Sequence, residues 1–230
     1  LKKYSYIGIT AVILIFGIWA VPKIIDRLSH NDVVKKDRLS SKGNVSGITD
    51  KADDKGMITI NKIPKFTFVN QDTDTISNDY YKGKVYVVEF FFSTCPSICP
   101  IMNTNMLKVQ KAFKNEGDFG IASFSIDPAH DTPKVLKEYA KSYGANHPHW
   151  NFLTGDKKDI LKLSNEGFKL YAAETPEAEG GFEHSGMFAL VDKNGNIRSR
   201  IDENGNPIIY YNGLEKEGIE MLIEDIKKLL

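Results

Sequence analysis

The segment Val85-Tyr-Val-Val-Glu-Phe-Phe-Phe92 is an almost unbroken run of β-branched and aromatic side chains. It lacks the alternation of a strand with one wet face, so both of its faces must be covered, as in the central strand of a partly parallel sheet. That demands enough flanking chain to cover both faces. The 230 residues, 41% of them hydrophobic, are sufficient for one folded domain with a sizeable core. Glu89 is the odd member of the run. It either points at a solvated edge or is a buried acid that handles protons near the cysteines that follow, and burial would raise its pKa.

The surrounding pattern can be read by period. Before the central strand, Phe66-Thr-Phe-Val69 and Thr75-Ile76, joined through Asp72-Thr-Asp74, read as a short hairpin. After it, Met102, Met106, Val109 and Phe113 recur at steps of four, three and four, which is one face of a helix. Residues 121–126 read as the next strand. Thr132-Pro133 gives an N-cap with proline at the first helical position, followed by a stripe of Val135, Leu136, Tyr139, Ala140 and Tyr143. Further on, residues 150–153 predict a third strand, 157 to about 170 a third helix and 188–191 a fourth strand. Asn194-Gly195 turns tightly into 197–201, and 215–230 closes as an amphipathic helix. This succession predicts a thioredoxin-like α/β fold over residues 57–230.

The N-terminus has a different character. Lys2 and Lys3 precede residues 4–22, which carry no charge and run close to the ~20 residues needed to span a bilayer as a helix. Tyr4, Tyr6 and Trp19 stand near its ends, where aromatics favour the interface, and the paired lysines favour the cytoplasmic side. A single transmembrane anchor over 1–22 is expected, with the rest of the chain on the extracytoplasmic, periplasmic side. A cleaved signal peptide is the alternative, though no good small-x-small cleavage site follows the apolar run. Residues 23–56, rich in Lys, Asp, Ser, Asn and Gly, read as a flexible tether. With 30 basic and 30 acidic side chains, the chain offers no basic excess for a nucleic-acid partner.

The chemistry concentrates where the central strand ends, in Ser93-Thr-Cys95-Pro-Ser-Ile-Cys99-Pro100. Cys95 and Cys99 are the only cysteines, too few for a disulfide framework, and they are expected as a redox pair or a metal site. If Cys99 opens the following helix, Cys95 lies about one turn away on the same side. The positive end of that helix would then lower a thiol pKa. Two buried, inert cysteines are the bland alternative. Haem attachment is excluded, because three residues separate the pair and Pro100 follows. Two thiolates fall short of a closed zinc site but suit Cu(I) and, with an imidazole, Cu(II).

Five histidines compete for third ligand: His30, His130, His147, His149 and His184. Only His184 immediately precedes a core strand across a glycine-rich loop. Thioredoxins keep a proline at the corresponding turn, and this chain has none from Glu177 to Asn206. A loop histidine bonded to its neighbours is the competing account of His184. His147 and His149 read as surface or packing residues, and Met102 and Met106 as core rather than soft ligands. Asp127 and Asp131 look like a paired carboxylate, but a turn cap for Asp127 and a helix start for Asp131 with Thr132 explain them structurally.

Four segments in order, Phe91-Phe-Ser-Thr-Cys95-Pro-Ser-Ile-Cys99-Pro100, Ser125-Ile-Asp-Pro-Ala-His-Asp-Thr-Pro133, Trp150-Asn-Phe-Leu-Thr-Gly155 and His184-Ser185 before Phe188-Ala-Leu-Val-Asp192, resemble the Sco/SenC copper chaperones that assemble cytochrome c oxidase. The likeness runs from Pro64 to the end and includes the single N-terminal anchor. It implies that Cys95, Cys99 and His184 ligate copper as Cu(I) or Cu(II), and that the acceptor is the dinuclear copper centre of oxidase subunit II. Another copper chaperone or a thiol reductant would be further partners. Glu183 stands where the family commonly has aspartate, which keeps an acid with altered reach, and no role is carried onto His130. The rival reading is an exported thiol–disulfide oxidoreductase in which Cys95 attacks and Cys99 resolves. A redox sensor would use the same pair.

Overall fold

The computed structural model describes residues 52–230, together with Leu14, Phe16, Ile18, Trp19 and Pro22, five helical and exposed residues of the N-terminal run. The rest of the anchor expected over 1–22, and the tether as far as residue 51, lie outside the described residues. Among the described residues no helix is long and apolar enough to cross a membrane. The chain divides into two compact units, Leu1–Val45 and Ser46–Leu230. The second unit carries the sheet and all the chemistry below.

Strand β4 (Val85–Phe91) is buried at every position, as its composition requires. It pairs in parallel with β5 (Phe119–Ser125), which pairs in parallel with β6 (Trp150–Thr154). On its other side β4 runs antiparallel to β9 (Met187–Val191), followed by β10 (Asn196–Arg200) and the edge strand β1 (Met57–Lys62). The opposite edge is the expected hairpin, β2 (Thr67–Asn70) and β3 (Thr75–Ser77), docked on β6. β11 (Tyr211–Asn212) adds to β9 and completes a nine-stranded sheet. Helix α1 (Ile98–Ala112) connects β4 to β5, and α2 (Pro133–Tyr143) connects β5 to β6. The chain closes with α4 (Lys216–Leu229). The mixed α/β, thioredoxin-like architecture is therefore present.

Local signals act where the sequence placed them. Thr132 caps α2, its hydroxyl accepting the Val135 N–H at 3.4 Å, and Gly144 ends the helix at φ 74°. Met102, Met106 and Val109 of α1 are fully buried against the sheet. Three features depart from expectation. β1 belongs to the sheet although residues 57–62 carry no clear strand signal in the sequence. The third helix is also shorter than predicted: α3 (Lys157–Lys162) gives way to one π turn, Leu163–Phe168, and Lys169 ends it at φ 56°. Side chains there compete with the helix ladder, Ser164 bonding the Leu170 carbonyl and Asn165 those of Leu161 and Ala172. Residues 172–184 then form what periodicity did not reveal, a separate two-stranded sheet of β7 (Ala172–Glu174) and β8 (Phe182–His184).

Candidate metal centre

β4 delivers the chain to the sheet's end, and residues 92–97 carry it in an irregular loop into α1. Cys99 is thus the second residue of the helix, inside its first turn, and has no solvent exposure. First-turn N–H groups have no partner within the helix. That of Cys99 points at Cys95 Sγ, 3.5 Å away. His184 comes from β8, whose hairpin folds over the cysteine loop. The approach depends on Gly180: at φ +81° it lies so near the Phe92 ring that an added Cβ would stand 2.7 Å from Cε2. Phe92 in turn packs edge-on to the His184 ring at 5.8 Å.

The orientation of the imidazole follows from its hydrogen bonds. Nδ1 lies 3.1 Å from the Ser185 carbonyl, which can only accept, so the proton is on Nδ1. Nε2 keeps its lone pair and sits 3.1 Å from Cys99 Sγ. One donor atom from each of Cys95, Cys99 and His184 falls within 4.8 Å of the others. No other group of three His, Cys, Asp or Glu side chains among the described residues is so placed. The sequence candidates for the site are therefore brought together, and the fit to a soft ion is chemical as well as geometric: two sulfurs and a neutral imidazole nitrogen. A groove of about 190 Å³ opens beside Cys95, bounded by Ile98, Phe182 and Glu183.

Charge is unequally shared between the sulfurs. The Cys99 thiol donating to Cys95 is the main cause that draws the Cys95 pKa down to about 3, helped by the backbone N–H groups of Cys99 and Ser97. Cys99 is pushed well up by its coupling to Cys95 and by burial. The metal-free pair is poised as one thiolate and one thiol, and an ion that binds both must displace the Cys99 proton.

The remaining candidates fall elsewhere. Glu89 is fully buried, which rules out the solvated edge; Oε1 accepts from Ser123 at 2.6 Å and Oε2 has no partner. Burial raises its pKa from 4.5 to about 7. Glu183 is exposed on β8. His147 packs against Phe119, while His149 bonds the Tyr80 hydroxyl at 2.9 Å. His30 lies outside the described residues. Asp131 is buried and does not start α2 through its side chain, because Thr132 supplies the cap; its carboxylate turns instead toward Ser93. The sequence held a signal for this in the Ser125 to Thr132 segment, but not the direction of the side chain.

A family model described as SCO1/SenC matches residues 58–217, which is most of the chain. The chain belongs to the SCO1/SenC family. The SCO1 protein homolog of Bacillus subtilis is 35% identical over 168 residues, 72% of this chain and 81% of that one. Among solved structures, BsSco, described as a member of the Sco family of cytochrome c oxidase assembly proteins with a disulfide switch, superimposes with TM-score 0.61 at 35% identity. That match covers 73% of this chain and 92% of BsSco. ScoI of Bradyrhizobium japonicum, solved with copper bound, matches with TM-score 0.57 at 25% identity, over 74% of this chain and 99% of ScoI.

Proposed function

We propose that this SCO1/SenC protein is a copper metallochaperone, anchored in a membrane by residues 4–22, with residues 57–230 on the extracytoplasmic side. It holds one copper ion on Cys95, Cys99 and His184 and delivers it to the dinuclear copper centre of cytochrome c oxidase subunit II. The observation that carries the reading is the convergence of those three donors within 4.8 Å. Two sulfurs favour Cu(I), and the imidazole makes Cu(II) tenable at the same place. The copper-bound ScoI of B. japonicum and the oxidase assembly role given for BsSco support the choice of ion and of acceptor class. The uncharged run of residues 4–22 supports the anchor.

Delivery follows from an open site. Three protein donors leave a position through which an acceptor thiolate enters by the Cys95 groove, so a new bond forms before an old one breaks. His184, the single ligand off the cysteine loop and helix, is the natural first to leave. Reduced protein should take up one copper per chain and show a thiolate-to-Cu(II) charge-transfer band that His184→Ala abolishes. Failure to bind stoichiometric copper would overturn the reading.

One observation favours a second reading. Two adjacent thiols, Cys95 drawn down in pKa and Cys99 pushed up, are the arrangement of a thiol–disulfide exchanger, and BsSco is described with a disulfide switch. Cys95 would attack a substrate disulfide and release one thiolate. Cys99 would then displace the second, leaving Cys95 and Cys99 joined. If the pair cycles readily and no copper binds, this reading replaces the first.

A further inference from the structure

We propose that Asp131 is a positioning residue of the metal centre: it ties down the loop that carries Cys95 and so fixes where that sulfur stands relative to Cys99 and His184. The inference deepens the copper-binding reading and rests on it.

The three donors are not equally held. Cys99 lies within helix α1 and His184 within strand β8, whereas Cys95 sits in the irregular stretch between Phe91 and Ile98. Within this stretch Cys95 N–H bonds the Phe92 carbonyl at 3.2 Å, and Ser97, which precedes α1, makes no side-chain cap. The anchor comes from the β5–α2 connection. Asp131 Oδ2 accepts the Ser93 N–H at 2.9 Å, and Oδ1 accepts the Ser93 hydroxyl. The Ser125 hydroxyl, at the end of β5, donates to Oδ2 at 2.5 Å. His130 Nδ1 completes the set, 2.9 Å from Oδ1. One carboxylate thus joins the first polar residue after β4 to the last residue of β5, two positions before Cys95.

The cost of that arrangement argues for a purpose. Asp131 has no solvent exposure, and among the described residues no Lys or Arg pairs with it; the one basic group bonded to it there is the half-exposed His130, which is charged only when protonated. Burying a carboxylate is expensive unless it is fully hydrogen-bonded. Helix capping does not account for the burial, since Thr132 already caps α2. Nor does activation of the thiol, because a negative charge near Cys95 opposes its thiolate. The charge that each copper ion adds to the site separates the alternatives. If Asp131 acted through its charge, neutralising it would weaken Cu(II), whose binding adds a positive charge, and leave Cu(I), whose binding displaces the Cys99 proton, nearly unchanged; if it positions the loop, neutralising it loosens both.

The test compares Asp131→Asn, Ser93→Ala and Thr132→Ala with the parent protein, in full-length chains. Each is loaded with copper and challenged with a Cu(I) chelator, and the thiolate-to-Cu(II) band is recorded. Asp131→Asn should lose copper about ten-fold faster, with a shifted band, as removal of a group that orients a ligand does. Ser93→Ala, a milder cut in the same clamp, should move the same way and carries the test if Asp131→Asn does not fold. Thr132→Ala weakens α2 without touching the loop and should keep the parent rate. Parent-like release from both clamp variants, or equally fast release from Thr132→Ala, overturns the proposal. Weaker Cu(II) with parent-like Cu(I) release in Asp131→Asn overturns it in favour of a charge effect. A metal-free readout separates this result from the functional reading: the equilibrium of the Cys95–Cys99 disulfide against glutathione should shift toward the dithiol in both clamp variants. A parent protein that binds no copper would sink the functional reading, and the disulfide equilibrium would still decide the clamp.

Discussion

The sulfur ligands and the imidazole ligand are held by parts of the molecule with different mechanical character. Cys99 stands on a helix packed against a strand buried at every position, in a core that includes Phe91, Phe124 and Met102 at zero exposure. His184 stands on β8, one of two three-residue strands paired only with each other and outside the large sheet. Long-range parallel pairing and a dense core make the first region the most costly to open; a short hairpin with half-buried faces opens locally at far lower cost. The sulfurs therefore define a permanent half-site and the histidine a detachable one, which suits a protein that must hold an ion and then give it up.

The largest effects should test that asymmetry directly. Cys99→Ser removes a ligand from the rigid half and should abolish stoichiometric copper in both oxidation states. His184→Ala should leave Cu(I) bound by the sulfur pair while weakening Cu(II) by ~100-fold or more, beyond what loss of an outer-shell group costs. Competitive chelator titrations in each oxidation state read both. Equal loss of Cu(I) in the two variants would mean that the hairpin is no more detachable than the helix.

Glu89 provides the next test, one centred on the rigid half. Its carboxyl is protonated in folded and unfolded chains below the ordinary value of 4.5. As pH rises past that value the unfolded carboxyl ionises while the buried one keeps its proton, so stability falls until the folded group ionises near 7. The loss across that window is about 3 kcal/mol and stays constant above it. Glu89→Gln should flatten this part of the profile, measured by urea unfolding from pH 4 to 8. A parallel slope in parent and variant would remove Glu89 as its source.

Gly180 links the two regions. Gly180→Ala places a methyl against the Phe92 ring in a backbone conformation that disfavours any side chain, at a cost of about 1–3 kcal/mol. Hydrogen exchange should show the loss in 172–184 rather than in β4. Loss spread evenly over both regions would show that they open as one unit.

How far the sequence could reveal this division follows from the same physics. The central strand, α1 with its buried methionine face, the capped α2 and the Asn194-Gly195 turn each carry a short-range signal, and each stands where that signal put it. The cysteine pair was legible because four residues of spacing at a strand-to-helix turn leave little freedom. His184 could be singled out only by its place before a core strand, since its contact with Cys99 spans 85 positions of chain. The β7–β8 hairpin was not legible: Ala172-Ala-Glu174 and Phe182-Glu-His184 are too short to show a period, and their pairing is set by Asn165 and Gly180. Asp131 shows the same limit, because a residue type that caps helices in one orientation clamps a distant loop in another.

The smallest expected effect concerns what fastens the hairpin to the body of the domain. Lys157, the first residue of α3, pairs with Glu174 of β7 at 2.9 Å and places its ammonium 5.2 Å over the Phe182 ring of β8. Both contacts are partly exposed, so together they should contribute no more than ~1 kcal/mol, and salt should weaken the ion pair before the ring contact. Lys157→Met keeps most of the apolar stem and removes the charge. Global unfolding should be almost unchanged, while exchange of the β7–β8 amides and release of Cu(II) should both quicken by a few-fold at low salt and converge with the parent at high salt. A change in global stability without a change in hairpin exchange would place Lys157 in the rigid half instead, and the detachable unit would then reduce to the residues beyond Glu174.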